Sequence, residues 1–313
     1  MHERIELLAT LAEHKKRLED FLFDRFGGLS KMYLREIVKL EKCEVNGRLE
    51  NIGYRLRPND FVEIELDLSR ESSMIPQDIS LDIVFEDADL IVVNKPSGML
   101  VHPSHREKTG TLLNALVFHL NYQVPKPDRE EGRNDQHKDG EERFAQDNAR
   151  ASAIIRPGLI HRLDKDTSGL IVAAKNARVH RILASHFQKK LVEKRYLALV
   201  DGIVGEDAGT ITGDIGRHDE HKYWGLKEGG KPSETRFVVK ERYADKTLLE
   251  LEPVTGRTNQ LRIHCASIGH PISGDTARGG SAGNRLCLHA YKLSFRHPSG
   301  GESMEFTSNG EGF

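Results

Sequence analysis

The apolar residues of this chain arrive in short runs of strand length. Leu90–Val93, "GLIVAAK" from Gly169, "KRYLALVDG" from Lys194, "TRFVVKERY" from Thr235, "TLLELEPV" from Thr247 and "RLCLHAYKLSF" from Arg285 are all of this kind. Helical periodicity is confined to a few segments. One is "ARVHRILASHFQKK", capped by Asn176, with Val179, Ile182, Leu183 and Phe187 on one face. Another is "GRTNQLRIHCASIG", opened by Thr258 or Asn259 and closed at Gly269-His270-Pro271. There is no internal repeat. Helices do not alternate with strands one for one, which excludes a doubly wound parallel sheet. The expected fold is α+β: a mixed, mainly antiparallel sheet with helices packed on it, preceded by a small α+β unit.

The 313 residues are 37% hydrophobic and 30% charged, with a formal net charge of −2. Nothing in that balance announces nucleic acid, so a nucleic-acid binder of this composition needs its cations focused on one face. Cys43, Cys265 and Cys287 are far apart and form no C-x-x-C pair. Buried thiols in a reducing compartment are expected, not disulfides or a zinc knuckle. "MHERIELLATLAEHKK" is too charged for a signal peptide, and no run is long enough to span a bilayer. A cytoplasmic monomer without a membrane partner is the expectation.

Residues 15–68 read as a domain of their own, after an N-terminal segment 1–14. Leu18, Phe21, Leu22 and Phe26 have helical spacing and end at Gly27-Gly28. Ser30 is placed to cap a second helix, Lys31 to about Lys42, whose buried face is Leu34, Ile37 and Val38. Lys31, Arg35 and Lys39 stack at i, i+4 and i+8 on it. "CEVNGRLEN" reads as strand, Asn46-Gly47 turn and strand, and "YRLRPNDFVEIEL" adds an alternating strand. A solvated helix surface is the ordinary reading of such a basic stripe. The order helix, helix, V-N-G hairpin, P-x-D strand resembles the αL RNA-binding domain of ribosomal-protein type. That resemblance implies RNA contact through the second helix and hairpin. It puts Lys31, Arg35, Lys39 and Arg48 forward as phosphate contacts, which position without reading sequence.

A polar linker follows at 69–80, and the remainder, 81–313, is expected to form one larger domain. "LDIVFEDADLIVVNKPSG" reads as strand, turn, strand, and Thr111 can cap a helix through "LLNALVFHL". Residues 122–153 have almost no core-forming residue and read as a disordered insertion. "HRLDKDTSG", His161–Gly169, then gathers an imidazole, two carboxylates and two hydroxyls in one loop between apolar runs. In extended backbone Asp164 and Asp166 would point the same way, which would suit a metal or an acid–base pair. In a turn they diverge, and Asp166-Thr-Ser-Gly has turn chemistry, with the Asp bonding its own backbone. The residues alone leave both readings open.

The stretch resembles the H-R-L-D-x-x-T-S-G signature of the RluA-type pseudouridine synthases. "DLIVVNKPSGMLVHPS", "KRYLALVDG", "TGRTNQLRIH", "HPISGD" and "LHAYKLSFRHP" are similar to that family's other blocks, in its order. The resemblance covers about residues 17 to 306, insertion excepted. It implies an enzyme that isomerises uridine in structured RNA: the glycosidic bond breaks, the uracil rotates, and carbon 5 rejoins the ribose. It implies no cofactor and no metal. Asp164 becomes the essential carboxylate, attacking the ribose or assisting its deprotonation. Arg162 becomes the residue that fills the space left by the flipped uridine, and Tyr196 the ring that stacks on the uracil. Arg262 becomes the cation that pairs with Asp164 and keeps it ionised. Lys194 is a weaker candidate, and Lys95, with Pro96 and Gly98, is expected to organise a neighbouring loop. The spacing of His161, His264 and His289 fits no compact ligand motif.

The chain departs from the family at Asn259, where histidine is usual, and in "GDTARGG" after the G-D pair. The αL unit tilts the expected partner towards ribosomal RNA, with transfer RNA as the alternative. Two rivals stand beside an enzyme of this kind. One is a non-catalytic RNA-binding ribosome-assembly protein on the same fold. The other is a metal-dependent phosphodiesterase using both aspartates.

Overall fold

The structure is a computed structural model that describes residues 2–26, 29, 31–67, 75–104, 106–123, 155–218 and 223–310. Its described residues divide into two compact units, one drawn from 1–78 and 117–156, the other from 79–116 and 157–313. The division at 78/79 falls in the polar 69–80 stretch. The grouping of 117–156 with the N-terminal residues departs from the expected single domain 81–313. Asn121 ties the two described ends of that segment together, and Arg156 joins it to the N-terminal residues. Asn121 exchanges hydrogen bonds with the Ile155 backbone, at 2.7 and 3.0 Å. The Arg156 guanidinium donates to the Leu29 carbonyl at 2.7 Å and lies 4.0 Å from the centre of the Phe23 ring. Ser30 as a cap, the Gly27-Gly28 stop, 68–74 of the linker and 124–153 of the insertion lie outside the described residues.

The first unit contains β1 (His2–Leu8), α1 (Leu18–Arg25), α2 (Lys31–Lys39), β2 (Cys43–Val45), β3 (Arg48–Leu49) and β4 (Phe61–Asp67). Its antiparallel sheet has the order β1-β4-β2-β3. Val62, Ile64 and Leu66 alternate inward from β4 onto Phe21, Leu22, Leu34 and Ile37 of the same core. Asn46 and Gly47 both take positive φ, 52° and 71°, as a two-residue hairpin turn of the primed kind demands. Two expectations fail here. The segment 1–14 does not lie outside the domain, because β1 pairs with β4 along its whole length. Among its described side chains the buried ones are Ile5 and Leu7, set among charged residues, so the alternation is easily read as polar chain. α2 ends at Lys39 and not near Lys42. Glu41 turns left-handed at φ 60°, and the Lys42 N–H bonds back to the Ile37 carbonyl.

The second unit is built on one sheet of eleven strands: β5 (Ile83–Glu86), β6 (Leu90–Lys95), β7 (Gly158–Leu159), β8 (Ser168–Ala174), β9 (Glu193–Asp201), β10 (Ala208–His218), β11 (Tyr223–Leu226), β12 (Lys231–Arg242), β13 (Lys246–Pro253), β14 (Leu288–Arg296) and β15 (Ser303–Thr307). The order is β11-β10-β12-β13-β9-β14-β8-β6-β5, with β15 beside β14 and β7 beside β8. Every pairing is antiparallel except β8 with β14, where His289 faces Ser168 and Ala290 faces Gly169. This is the mixed, mainly antiparallel sheet that the run lengths imply. The helices are α3 (Leu112–Phe118), α4 (Ala177–Gln188) and α5 (Gln260–Ser267). Thr111 and Asn114 cap α3 reciprocally, and the Asn176 side chain accepts from the Val179 N–H at the start of α4.

β8 is buried along its whole length and forms the floor between two apolar clusters. One face packs Val172 and Ala174 with Val179 and Leu183 of α4. The other packs Ile171 and Ala173 with Leu112 and Leu116 of α3. The loop His161–Thr167 therefore enters a strand that cannot shift. Gly169 fixes the crossing with β14. Its φ is +117°, and a Cβ there would sit 2.4–2.7 Å from the Ala290 backbone. Among the described residues, no helix is long and apolar enough to cross a membrane. Cys43 and Cys265 are buried and free, and burial pushes both thiols up to about 12.

Candidate active site

Arg162, Asp164, Tyr196 and Arg262 come from three separate parts of the chain. All four line one cavity of about 760 Å³ in the second unit. The Asp164 loop forms one wall, β9 another, and the segment from Glu252 into α5 the third.

The loop is held from outside. Lys95, at the end of β6, is fully buried. Its ammonium donates to the carbonyls of Pro96, Met99 and Lys165 at 2.8, 2.8 and 3.0 Å. The Gly98 N–H also reaches the Lys165 carbonyl, at 3.0 Å, and Ser97 Oγ donates to the Asp166 carbonyl at 2.7 Å. Burial pushes the Lys95 pKa down to about 8, and the three carbonyls favour the protonated form at neutral pH. So the turn before β8 is clamped to the turn after β6. The Thr167 N–H closes it on the Asp164 carbonyl at 3.2 Å. The expectation that the Asp166 side chain folds this turn is not met. Asp166 is exposed, and the clamp comes from Lys95, Ser97 and Gly98, some seventy residues away.

His161 anchors the other end of the loop. Its Nε2 accepts from the Val172 N–H at 3.2 Å, and its ring stacks on Phe187 with centroids 4.7 Å apart. Burial and the nearby Lys194 charge push its pKa down to about 3, so the ring is neutral. His264 bonds Ser233 and Thr235, and His289 bonds Ser168 and Ser308. Each of these rings has its own hydrogen-bond partners. Among the described residues, no group of three or more His, Cys, Asp or Glu could hold a metal ion.

Asp164 stands in the cavity wall, partly buried. Desolvation raises its pKa above the ordinary aspartate value. Arg262, Arg162 and Arg278 oppose that rise with their charges. The expected pairing of Arg262 with Asp164 is therefore electrostatic and not a direct bond. The guanidinium instead makes a bidentate pair with Asp275, 2.7 Å on each side, and reaches Asn259 Oδ1 at 3.2 Å. Asp275 is 2% exposed, so this is a sheltered fork-to-carboxylate contact that fixes the arginine plane. Asn259, where the family usually has histidine, lines the cavity and accepts from Arg262. It also opens α5 in a left-handed conformation, φ 55°, which asparagine tolerates better than most residues.

On β9, Lys194 and Tyr196 are two residues apart and both line the cavity. Burial and the Asp164 charge push the Tyr196 phenol up, so it stays protonated. Lys194 lies 5.8 Å over the Phe187 ring, and burial lowers its pKa. Arg278 was missed as a site residue. It donates to the Trp224 carbonyl at 3.1 Å, and its charge reaches both Asp164 and Asp275. The signal was the "GDTARGG" departure, where an arginine follows the aspartate that holds Arg262.

The four N-terminal cations behave differently from one another. Arg35 pairs with Glu19 of α1 at 2.6 Å. Lys31 lies 3.6 Å from Asp20 and 4.4 Å from the centre of the Phe23 ring. The basic stripe thus faces α1 carboxylates at two of its positions. Lys39 and Arg48 are exposed.

Comparison with known proteins places this chain in a family. Residues 89–267 match the family model described as RNA pseudouridylate synthase. The chain belongs to the RNA pseudouridylate synthase family. It is 34% identical to an uncharacterized RNA pseudouridine synthase of Bacillus subtilis, over 97% of this chain and 93% of the relative. It is 37% identical to the ribosomal large subunit pseudouridine synthase D of Neisseria meningitidis serogroup B, over 97% of this chain and 78% of the relative. Among solved structures, human RNA pseudouridylate synthase domain containing 1 superposes with a TM-score of 0.52 at 26% identity, covering 77% of this chain and 86% of that one. The protein is an RNA pseudouridine synthase, an isomerase. The matched span 89–267 includes the Asp164 loop, β9 and Arg262, and stops short of Asp275 and Arg278.

Proposed function

We propose that this synthase modifies ribosomal RNA of the large subunit, with Asp164 as its catalytic carboxylate. The observation that carries the reading is the convergence of Asp164, Arg162, Tyr196 and Arg262 on one cavity, with three arginines opposing the desolvation of Asp164. Conversion of uridine to pseudouridine breaks the bond from N1 to the ribose and forms one from C5. The C5 proton leaves and N1 takes one up. The rearrangement is redox-neutral and keeps every heavy atom, so it consumes no co-substrate. Asp164 attacks the ribose or takes a proton from it, and either route needs the ionised carboxylate. Burial strengthens that charge as a reactant and endangers it by raising the pKa. The arginines limit that rise.

Tyr196 offers a π-face for the extruded uracil, and its protonated phenol is a poor base at rest. Arg162, exposed and lining the cavity, would enter the space that the flipped nucleotide leaves. The first unit is proposed to hold RNA through Lys39 and Arg48, with Lys31 and Arg35 contributing where phosphate displaces the α1 carboxylates. The relatives named for the large ribosomal subunit favour that RNA over transfer RNA. The test is pseudouridine mapping in RNA from cells with and without the protein, complemented by wild type or Asp164→Asn. A large-subunit site should vanish in the knockout and return with wild type alone. Persistence of every site, or rescue by Asp164→Asn, overturns the reading.

A further inference from the structure

A chain of net charge −2 needs its cations focused if it is to hold RNA, and such a focus exists on α4. Residues 177–190 contain Arg178, Arg181, His186, Lys189 and Lys190 and no acid. The two arginines and two lysines are all exposed. Arg181, Lys189 and Lys190 make no ion pair among the described residues, and the Arg181 side chain donates only to the Ala177 carbonyl of its own helix. Arg178 donates to Ser299 Oγ at 3.4 Å, and its charge reaches Asp89. A groove of about 420 Å³ follows this face, lined by Arg178, Arg181, Ser185, His186 and Lys189. Gln188 and Lys190, the chain neighbours of Lys189, line the Asp164 cavity.

Helix stability does not account for the set. Lysines at the C-terminal end suit the helix dipole, but Arg178 stands in the first turn, where a cation is disfavoured. Lys190 takes a left-handed φ of 58° just past the helix, a place usually given to glycine. A lysine at that position bears backbone strain, and it lines the Asp164 cavity. An ordinary solvated helix face of this length would mix acids with bases.

We propose that this face of α4 binds the phosphate backbone of the substrate strand beside the uridine held in the Asp164 cavity. The inference rests on the reading that the cavity takes a uridine of an RNA strand. The eleven residue-to-residue rises from Arg178 to Lys189, at the helix C-cap, span about 16 Å at ~1.5 Å per residue. That length matches roughly four to five phosphates at ~3.4 Å per nucleotide. Such contacts hold and orient the strand without reading its bases.

The test compares wild type with the double variant Arg181→Ala, Lys189→Ala and with a control pair of equal charge change, Lys240→Ala, Arg296→Ala. The probe is a labelled transcript of large-subunit ribosomal RNA, titrated across salt concentrations. Loss of two phosphate contacts should lower the slope of log K against log salt by about 1.4–1.8, at ~0.7–0.9 per contact. The Kd should rise roughly tenfold at physiological salt, with kcat at saturating RNA within about twofold of wild type. The pair Arg181→Gln, Lys189→Gln repeats the measurement should the alanine variant lose helix content. An unchanged slope and Kd, or an equal change in the control pair, overturns the proposal. Wild type that binds the transcript but modifies no uridine in it defeats the substrate reading, while the salt slopes still judge the docking face.

Discussion

Gly169→Ala should damage this enzyme through one added methyl group, at the crossing that the Asp164 loop enters. The residue sits at φ +117°, and an added Cβ would lie 2.4 Å from the Ala290 carbonyl oxygen and 2.5 Å from its nitrogen. Those atoms are backbone in β14 and cannot rotate away. Gly98 provides the internal comparison. It too has a positive φ, +82°, yet a Cβ there would meet nothing within 4 Å. Gly98→Ala therefore costs left-handed strain alone, about 1–2 kcal/mol. A narrower unfolded ensemble adds to the loss of freedom only in the unfolded state and offsets roughly 0.4–1 kcal/mol of that cost. Gly169→Ala adds to the strain an overpacking cost of about 1–3 kcal/mol, since β8 and β14 must separate. The totals come to about 1 kcal/mol for Gly98→Ala and about 3 kcal/mol or more for Gly169→Ala. For a domain of roughly 150–250 residues, each kcal/mol lowers Tm by about 2–4 °C. Calorimetry of the two variants should thus separate them by about 4–8 °C, with Gly169→Ala the lower. Its pseudouridine formation should also fall, because the Asp164 loop leads directly into that crossing. Equal Tm values for the two variants would refute the argument from close approach.

Other outcomes follow from the same geometry. Arg262→Gln removes a charge that lowers the Asp164 pKa, so the acid limb of the kcat/KM profile should move to higher pH; a limb that stays in place contradicts the electrostatic role of Arg262. Lys95→Met strips an ammonium from three carbonyls and should lower the single-turnover rate by about tenfold to a hundredfold through misplacement of the Asp164 loop, with RNA affinity little changed. His264 and His289 are buried with pKa values pushed down to about 4, below the unfolded value near 6.5. The unfolded chain binds more protons in that window, so their contribution, of order 3 kcal/mol each, is present above about pH 6.5 and lost as pH falls towards 4. Urea midpoints at neutral and at acid pH should differ accordingly, and a pH-independent midpoint would count against neutral buried rings.

Local patterning made much of the fold legible. The α4 cap at Asn176, the Thr111 cap of α3, the Asn46-Gly47 turn and the strands β6, β8, β9, β12, β13 and β14 are visible in periodicity and turn chemistry. β10 was not, because Gly209, Gly213 and Gly216 interrupt it. In the structure the Phe237 ring covers Gly209, supplying the contact that the missing side chain cannot. β1 was lost for a related reason: an edge strand with charged outward positions carries half the usual apolar signal. In the site, the members of the cavity were legible through long motifs, but their partners were not. Nothing local in "QLRIH" says that Arg262 is gripped by Asp275, since that contact is made across the fold. The Lys95 clamp was foreseen as loop organisation, and its three carbonyl acceptors needed coordinates. The N-terminal stripe shows the opposite failure. Helical spacing aligned Lys31, Arg35 and Lys39 correctly, but it could not see Glu19 and Asp20 on the neighbouring helix.

The central claim is that Asp164 carries the chemistry in a cavity organised around its charge. Its most direct test is single-turnover conversion of a large-subunit ribosomal RNA transcript by purified Asp164→Asn. Asparagine keeps the shape and relieves the desolvation that raises the aspartate pKa, so the variant should be folded, at least as stable as wild type, and able to bind RNA. Pseudouridine formation should drop by about a thousandfold or more, as befits loss of the reacting group. Formation at the wild-type rate by a folded, RNA-binding Asp164→Asn would contradict the account.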